Sequence, residues 1–214
     1  MNKKLIVFGL ASVLLTACGG GSEEAESKGE GQEQEAKACT YSYDPGSTVL
    51  TWTAFKLTER IGVNGTFDQI NVTANEGSED MFGVLTGATF EIPVSSLNSQ
   101  DPERDPKLKD HFFGVMANTE NITGKIVDLN ETSGRIMINM NGMEVEYEGN
   151  VTVEDETTIT WTQAIDILDF NGQASIDSIG VHCAEKHTGE DGVNKFWPDV
   201  NIAVKTTLVK TCEE

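Results

Sequence analysis

A hairpin signal in the second half of the chain constrains the fold most strongly. Residues 135–140 (RIMINM) and 143–153 (MEVEYEGNVTV) alternate between apolar and polar side chains, and Asn141-Gly142 separates them. Asn-Gly between two alternating segments is typical of a type I′ turn, because both residues accept a positive φ. In the second arm, apolar and glutamate side chains point to opposite faces. The sequence therefore predicts a β-hairpin with one apolar and one solvated face.

Similar alternation recurs along the chain and predicts about eight strands. These cover residues 48–57, 65–73, 84–93, 122–129, 135–140, 143–153, 157–167 and 200–210. Because the strands alternate, we expect an antiparallel sheet with one solvated face. Closure into a barrel would remove unpaired edges, and eight strands enclose either a small ligand or a side-chain core. The predicted fold class is all-β, an eight-stranded antiparallel β-barrel with one or two short capping helices. A β-sandwich is the alternative.

The N-terminal residues have the features of a secretory signal. Lys3 and Lys4 precede an apolar stretch, residues 5–15, that is too short to span a membrane. The following Leu-Thr-Ala-Cys sequence resembles the bacterial lipobox, in which cleavage precedes a cysteine that carries the lipid. We therefore predict a lipoprotein signal peptide over residues 1–17 and lipid attachment at Cys18. A buried N-terminal helix with a stray cysteine is the alternative.

Residues 18–38 are rich in Gly, Glu, Gln and Ser and have no apolar periodicity. We interpret them as a lipid-anchored, flexible, acidic linker to a folded domain over residues 39–214. The chain has 15 Lys and Arg against 35 Asp and Glu, a net charge of −20. This charge argues against nucleic acid or an anionic membrane face as a partner. The predicted location is the cell envelope, anchored to the outer membrane and facing the periplasm or the cell surface.

Three cysteines remain in the predicted domain, and an exported protein can form disulfides. Cys39 and Cys212 lie at its two ends, beside the first and last predicted strands. If those two strands pair antiparallel, the two cysteines meet, so we predict a Cys39–Cys212 disulfide. The rival pairing is Cys183–Cys212.

A short helix is predicted within residues 101–113 (DPERDPKLKDHFF). Asp105 is a suitable N-cap, and Gly114 is placed to end the helix. Leu108 and Phe112 are four residues apart and share one face. One histidine and scattered acids supply neither a nucleophile–base pair nor a metal-ligand set, so we interpret this segment as a capping helix.

A second helix is predicted over residues 173–187. Cys183 and His187 have the spacing to share a metal ion, but His182 diverges from His187, and two ligands do not complete a zinc site. We therefore predict no metal site. The chain also has no Gly-x-Ser-x-Gly motif and no paired catalytic carboxylates, so we predict no enzyme activity.

Several motifs resemble the YceI-like family of lipid- or polyisoprenoid-binding barrels over roughly residues 43–210. Residues 43–49 (YDPGSTV) are similar to the segment before the family's first strand, and Thr66-Phe67 after Gly65 matches its Gly-x-Phe. Residues 104–108 (RDPKL) and the Phe112-Phe113 pair stand where the family has Arg-Asp-x-His-Leu and Phe-Phe. Trp161 and the Asp169-Phe170 pair also fall where the family has its late strand and loop. This chain departs from the motif at Lys107, which replaces its histidine, and at residues 117–121, which replace a Lys-Tyr-Pro run.

The resemblance implies a lipocalin-like barrel with a long apolar interior. Its predicted lining is Trp52, Ala54, Phe67, Ala88, Phe90 and Trp161. Its predicted mouth and cap are Arg104, Lys107, Leu108, Phe112 and Phe113, with Lys109 as a further cation for a quinone or diphosphate head group. In the alternative interpretation these side chains only fill the barrel.

The implied function is an envelope lipoprotein that binds or carries an amphiphilic lipid, a polyisoprenoid or isoprenoid quinone. The alternative is a ligand-free barrel that acts as a cell-envelope interaction or stress-protection module. We expect no cofactor apart from such a bound lipid, and the expected partners are that lipid and the membrane. Family members also form dimers, so pairing with a second copy is left open.

Overall fold

The computed structural model describes residues 38–213. The predicted signal peptide (1–17), Cys18 and nearly all of the predicted linker lie outside the described residues. The strands are β1 (Cys39–Lys56), β2 (Ile61–Phe67), β3 (Asn71–Thr73), β4 (Thr89–Pro93), β5 (Leu97–Asn98), β6 (Asn121–Leu129), β7 (Ser133–Met140), β8 (Met143–Glu154), β9 (Thr158–Asp166) and β10 (Phe196–Cys212). The helices are α1 (Met81–Leu85), α2 (Arg104–His111), α3 (Gln173–His182) and α4 (Ala184–His187).

All strands belong to one antiparallel sheet in the order β3-β4-β6-β7-β8-β9-β10-β1-β2-β5. The antiparallel all-β fold is confirmed, but within residues 38–213 the sheet has ten strands instead of the predicted eight. The predicted strand 65–73 divides into β2 and β3, and β5 was not predicted because two residues carry no periodicity. The predicted strand 84–93 begins as helix α1, because the Asp80 carboxylate accepts a hydrogen bond from Phe82 N at 3.0 Å and caps that helix.

The sheet curls into a half-barrel whose edge strands are β3 and β5. The chain passes from β4 to β5 through a 3₁₀ turn, Val94–Ser96. Asp68 N donates to Ser96 O at 2.8 Å, and Ser96 Oγ donates to Gln69 O at 3.3 Å. This turn therefore ties the segment after β2 to the segment after β4 and links the two edges of the sheet.

The first and last strands pair along most of their length. Cys39 and Cys212 are direct partners in the β1–β10 register, and they form a disulfide. This is the pairing that the sequence predicts, and Cys183 of the rival pairing is a free thiol. The β1–β10 pair lies inside the sheet, so the disulfide fastens two neighbouring strands away from the open edges.

The predicted hairpin is confirmed at β7 and β8. Met140 pairs with Met143 across the turn, and both turn residues have a positive φ, 53° at Asn141 and 71° at Gly142. The Asn141 side chain also donates to Phe170 O at 2.7 Å and accepts from Ala117 N at 2.6 Å. The turn therefore holds two other connections at this end of the sheet.

Helix α2 begins differently from the prediction. Asp101 accepts hydrogen bonds from Glu103 N at 3.0 Å and from Arg104 N at 3.2 Å, so it satisfies the free amides of the first turn. Asp105, the predicted N-cap, lies within the helix and accepts from Ser99 N at 2.8 Å and from Ser99 Oγ at 2.5 Å. The N-cap prediction for Asp105 is wrong, because its carboxylate anchors the helix to Ser99, the residue after β5, instead.

Both predicted helical segments are present, with different ends. Helix α2 ends at His111, and Gly114 lies in a 3₁₀ turn, Phe113–Val115, so the predicted end at Gly114 is wrong. The second segment divides into α3 and α4 at Cys183. Helices α2 and α3 pack together, and the rings of His111 and His182 stack 3.6 Å apart.

Apolar side chains on the concave face of the sheet form the core. In β7 every second residue is buried, including Ile136, Ile138 and Met140. Within residues 38–213 no helix has the length and hydropathy to cross a membrane. The core is therefore built mainly by strand alternation, and helix α1 adds the buried Val84 and Leu85.

Candidate functional site

Two adjoining cavities lie within the half-barrel. The outer cavity has a volume of about 220 Å³ and lies between β1, β2, β10 and the helices α2, α3 and α4. The inner cavity has a volume of about 120 Å³ and is lined by apolar side chains apart from two threonines, Thr48 and Thr206. Five side chains line both cavities: Phe67, Ile122, Met140, Ile165 and Ile202. The two cavities therefore share a wall of apolar groups.

The predicted lining residues are distributed over both cavities. Trp52 and Ala54 line the outer cavity, Phe90 and Trp161 line the inner one, and Phe67 lines both. Ala88 is buried, but it lines neither cavity. The structure thus brings five of the six side chains together around apolar space, and their contact with a ligand stays a prediction.

The two large rings at β1 and β4 lie over glycines of neighbouring strands. Gly65 is the direct partner of Trp52, and a Cβ on Gly65 would stand 2.6 Å from the Trp52 Cε2 atom. Gly124 is the direct partner of Phe90, and its Cβ would stand 2.8 Å from the Phe90 Cε1 atom. Since real side chains do not approach so closely, only glycine lets each ring lie against the wall.

Trp161 follows the same arrangement in β9. A Cβ on Gly149 would stand 2.5 Å from Trp161 Nε1, which donates a hydrogen bond to Gly134 O at 2.9 Å. The ring is therefore held against β7 and β8. This packing explains why large aromatic side chains line the half-barrel and still leave two cavities open.

Helix α2 and the following turn close one side of the outer cavity. The predicted mouth and cap residues Arg104, Lys107, Leu108, Phe112 and Phe113 all line this cavity. The rings of Phe112 and Phe113 meet edge to face at 5.0 Å, and Phe113 meets Phe67 of β2 at 6.4 Å. An aromatic cluster therefore attaches the cap to the barrel wall.

Lys109 does not lie at this mouth, although the sequence places it beside Lys107. Its Nζ donates to Ser95 O at 2.6 Å, on another side of the helix. Because helical residues two positions apart face different directions, Lys107 lines the cavity and Lys109 does not. The expectation that Lys109 meets a head group at this mouth is therefore wrong.

Three basic residues that the sequence did not single out for the mouth also line the outer cavity, namely Lys56, Lys186 and His187. Lys56 Nζ donates to Lys186 O at 3.2 Å, which joins the end of β1 to helix α4. These two residues are 130 positions apart in the chain, so no local motif could have revealed the contact.

The charge of this mouth is opposite to that of the chain. Among the described residues, four Lys and Arg side chains line the outer cavity, and two carboxylates, Asp101 and Glu103, do so. Arg104 is paired with Asp101 at 3.0 Å, and Lys186 with Glu103 at 3.4 Å. Positive charge therefore surrounds the mouth of a cavity in a protein of net charge −20.

The pKa of His187 is shifted by its burial and by these positive charges. Burial, followed by the nearby charges of Lys56, Arg104 and Lys107, lowers the pKa of His187 to about 4. Its ring stacks on Phe196 at 4.2 Å, and its buried Nδ1 has no hydrogen-bond partner among the described residues. At neutral pH the side chain is therefore an uncharged imidazole inside a positive mouth.

The geometry of this site is that of a binding cavity. Among residues 38–213, no three His, Cys, Asp or Glu side chains are grouped so that they could hold a metal ion. His182 stacks on His111, and Cys183 is a free thiol that lines the outer cavity. The arrangement offers burial for an apolar chain and positive charge at one end.

A family comparison agrees with this geometry. The model of the YceI-like domain matches residues 41–208. The chain belongs to the YceI-like family. The resemblance seen in the sequence is thereby confirmed, and the matched range includes residues 104–108. None of the curated protein sequences matches this chain.

Solved structures of low sequence identity have a similar fold. One is a polyisoprenoid-binding domain from Saccharophagus degradans, with a TM-score of 0.55 and 15% identity, covering 83% of this chain and 100% of that chain. Another is BcnA from Burkholderia cenocepacia, with a TM-score of 0.50 and 13% identity, covering 79% of this chain and 99% of that chain. At these identities the likeness concerns the fold alone.

Proposed function

We propose that this YceI-like protein binds or carries an amphiphilic lipid of the polyisoprenoid or isoprenoid-quinone class. The observation that carries the proposal is the pair of adjoining apolar cavities, of about 220 and 120 Å³, inside the half-barrel. Together they reach the lower end of the volume range of small-molecule sites, about 300–1,000 Å³. The tail would lie along both cavities and the head group at the mouth beside α2.

Burial of the tail supplies the affinity. Each CH₂ group removed from water contributes about 0.8 kcal/mol. Two or three five-carbon isoprene units would therefore contribute about 8–12 kcal/mol before the costs of association. Such binding needs no covalent step, so the corresponding role is carriage or sequestration of the lipid.

Two further observations support the ligand class and the location. The fold is similar to that of a domain described as polyisoprenoid-binding. The lipobox-like sequence ending at Cys18 supports a lipid anchor at that residue. The location that we propose is the outer membrane, with the protein facing the periplasm or the cell surface. The acidic segment 18–38 would then connect the anchor to the YceI-like domain.

Native mass spectrometry of protein purified from its own membranes, followed by lipid extraction, tests the proposal. We expect a stoichiometric polyisoprenoid or quinone. The variant Ala54→Phe adds a ring to a side chain that lines the outer cavity, and it should lose most of the bound lipid. Thr51→Phe adds the same ring at an exposed position of the same strand and should retain the lipid.

An empty protein whose melting temperature does not rise on addition of isoprenoids would contradict the proposal, because a ligand that binds only the native state must stabilise it. That outcome would favour the ligand-free envelope module. Equal loss of lipid in both variants would show that the ring acts through general destabilisation and that the cavity is not the site.

A further inference from the structure

The residues that line the two cavities show how deep each cavity lies along the strands. In β1 alternate side chains point inward: Trp52 and Ala54 line the outer cavity, and Thr48 and Leu50 line the inner one. Lys56, at the end of β1, lines the mouth. The deepest lining residue of this strand therefore lies eight positions from the mouth, a distance of about 26 Å along an extended strand.

Two other strands have the same order of residues. In β9, Ile165 lines both cavities, whereas Trp161 lines only the inner one. In β7, Met140 lines both cavities, whereas Ile136 lines only the inner one. The inner cavity is therefore the deeper continuation of the outer cavity, and an apolar tail that enters at the mouth would reach it last.

Packed side chains close the deep end of the inner cavity. Two positions beyond Thr206 in β10 and Trp161 in β9, the next inward residues are Leu208 and Ile159, each 3% exposed, and neither lines either cavity. The indole of Trp161 is fixed by its hydrogen bond to β7. Thr48 Oγ1 lies 2.9 Å from Thr206 Oγ1, and this hydrogen bond joins β1 to β10. Trp161, Thr48 and Thr206 therefore form a fixed floor, behind which the core is solid.

The space above this floor limits the length of a buried tail. The two volumes, about 220 and 120 Å³, sum to about 340 Å³. A protein cavity of about 150 Å³ takes up one benzene molecule, which corresponds to roughly 25 Å³ per carbon atom. On that scale the two cavities hold roughly 14 carbon atoms, or almost three isoprene units. Further units of a longer tail would stay in water and contribute little to the affinity.

We infer that this site selects isoprenoid tails of two or three units, because the floor leaves room for no more. The inference rests on the proposed function and narrows its ligand class from isoprenoids of any length to short ones. A longer isoprenoid can still bind through part of its tail, but it gains no affinity from the remainder.

Binding of geraniol, farnesol and geranylgeraniol to the full-length protein without bound lipid tests the inference. These alcohols share one head group and have two, three and four isoprene units. The affinity should rise at least about tenfold from geraniol to farnesol, because the third unit is buried, and should change less than about threefold from farnesol to geranylgeraniol. The tryptophans that line the cavities, Trp52, Trp161 and Trp197, provide a fluorescence signal.

Two variants move the limit in opposite directions. Leu50→Ala enlarges the inner cavity, and it should raise the affinity for geranylgeraniol relative to farnesol at least about fivefold. Val204→Phe fills the inner cavity, and farnesol should then bind no more tightly than geraniol. Val145→Ala truncates a partly buried residue that packs on the core and lines neither cavity, so this matched control should leave both ratios unchanged.

The outcomes separate this inference from the proposed function. A tenfold or larger gain from the fourth isoprene unit would overturn the length limit and leave lipid binding intact. Unchanged ratios in both Leu50→Ala and Val204→Phe would also overturn it, since the plateau would then come from self-association of the longer alcohol in water. Failure of all three alcohols to bind would remove the proposed function together with this inference.

Discussion

The variant Gly65→Ala tests whether the Trp52 ring is held against the barrel wall. The new Cβ would stand 2.6 and 2.9 Å from the Cε2 and Cη2 atoms of the ring, whereas non-bonded carbon atoms prefer about 3.5–4.0 Å. The ring must therefore move by about 1 Å, into the outer cavity. Overpacking costs about 1–3 kcal/mol, and the reduced freedom of the unfolded chain offsets about 0.4–1 kcal/mol. We expect the free energy of unfolding to fall by about 1–2 kcal/mol.

Urea titration measures this loss, and Gly62→Ala is the matched control. Gly62 lies on the same strand, and its Cβ would meet Thr53 Cγ2 at 3.2 Å, a contact that a small side-chain movement relieves. The control should change stability by less than about 0.5 kcal/mol. Gly65→Ala should also reduce lipid binding, because the displaced ring takes space from the ligand. A Gly65→Ala protein as stable as the control would refute the packing of Trp52 on Gly65.

Three further predictions concern other parts of the fold. Reduction of the Cys39–Cys212 disulfide, which joins residues 173 positions apart, should lower the free energy of unfolding by about 2–5 kcal/mol in urea titrations; an unchanged midpoint would contradict this. Because the pKa of His187 falls from 6.5 to about 4 on folding, the unfolded state binds a proton that the native state excludes. Stability should therefore decrease by about 1–2 kcal/mol, after allowance for partial exposure, as the pH falls from 6.5 to 4. His187→Gln should flatten that part of the pH–stability curve, and an unaltered curve would argue against a buried neutral imidazole. Asp101→Ala removes the acceptor at the start of α2 and an ion pair, so it should lower the melting temperature in thermal unfolding. Asp110→Ala, at an exposed position on the same helix, should cost much less, and equal losses would show that Asp101 does not cap the helix.

The main features of the sheet follow from local sequence because strand alternation and turn chemistry act over a few residues. The Asn141-Gly142 turn needs two positive φ values, and the residues that tolerate them specify the hairpin without reference to the rest of the fold. The pairing of the first and last strands also placed Cys39 beside Cys212. The prediction of a single strand over residues 65–73 is wrong, and the apolar positions change phase between Phe67 and Ile70, where the chain turns.

The sequence alone therefore determined the antiparallel all-β class, the hairpin, the disulfide and, by resemblance, the YceI-like family. Tertiary structure decided which charges meet at the mouth. Lys56 and Lys186 come together from positions 130 residues apart, and Lys107 faces the cavity while Lys109 turns away. Side-chain alternation depends on neighbouring residues, but the electrostatic field of a cavity sums charges from all the elements that surround it. For that reason the positive mouth of this acidic protein could be seen only once the strands and helices were in place.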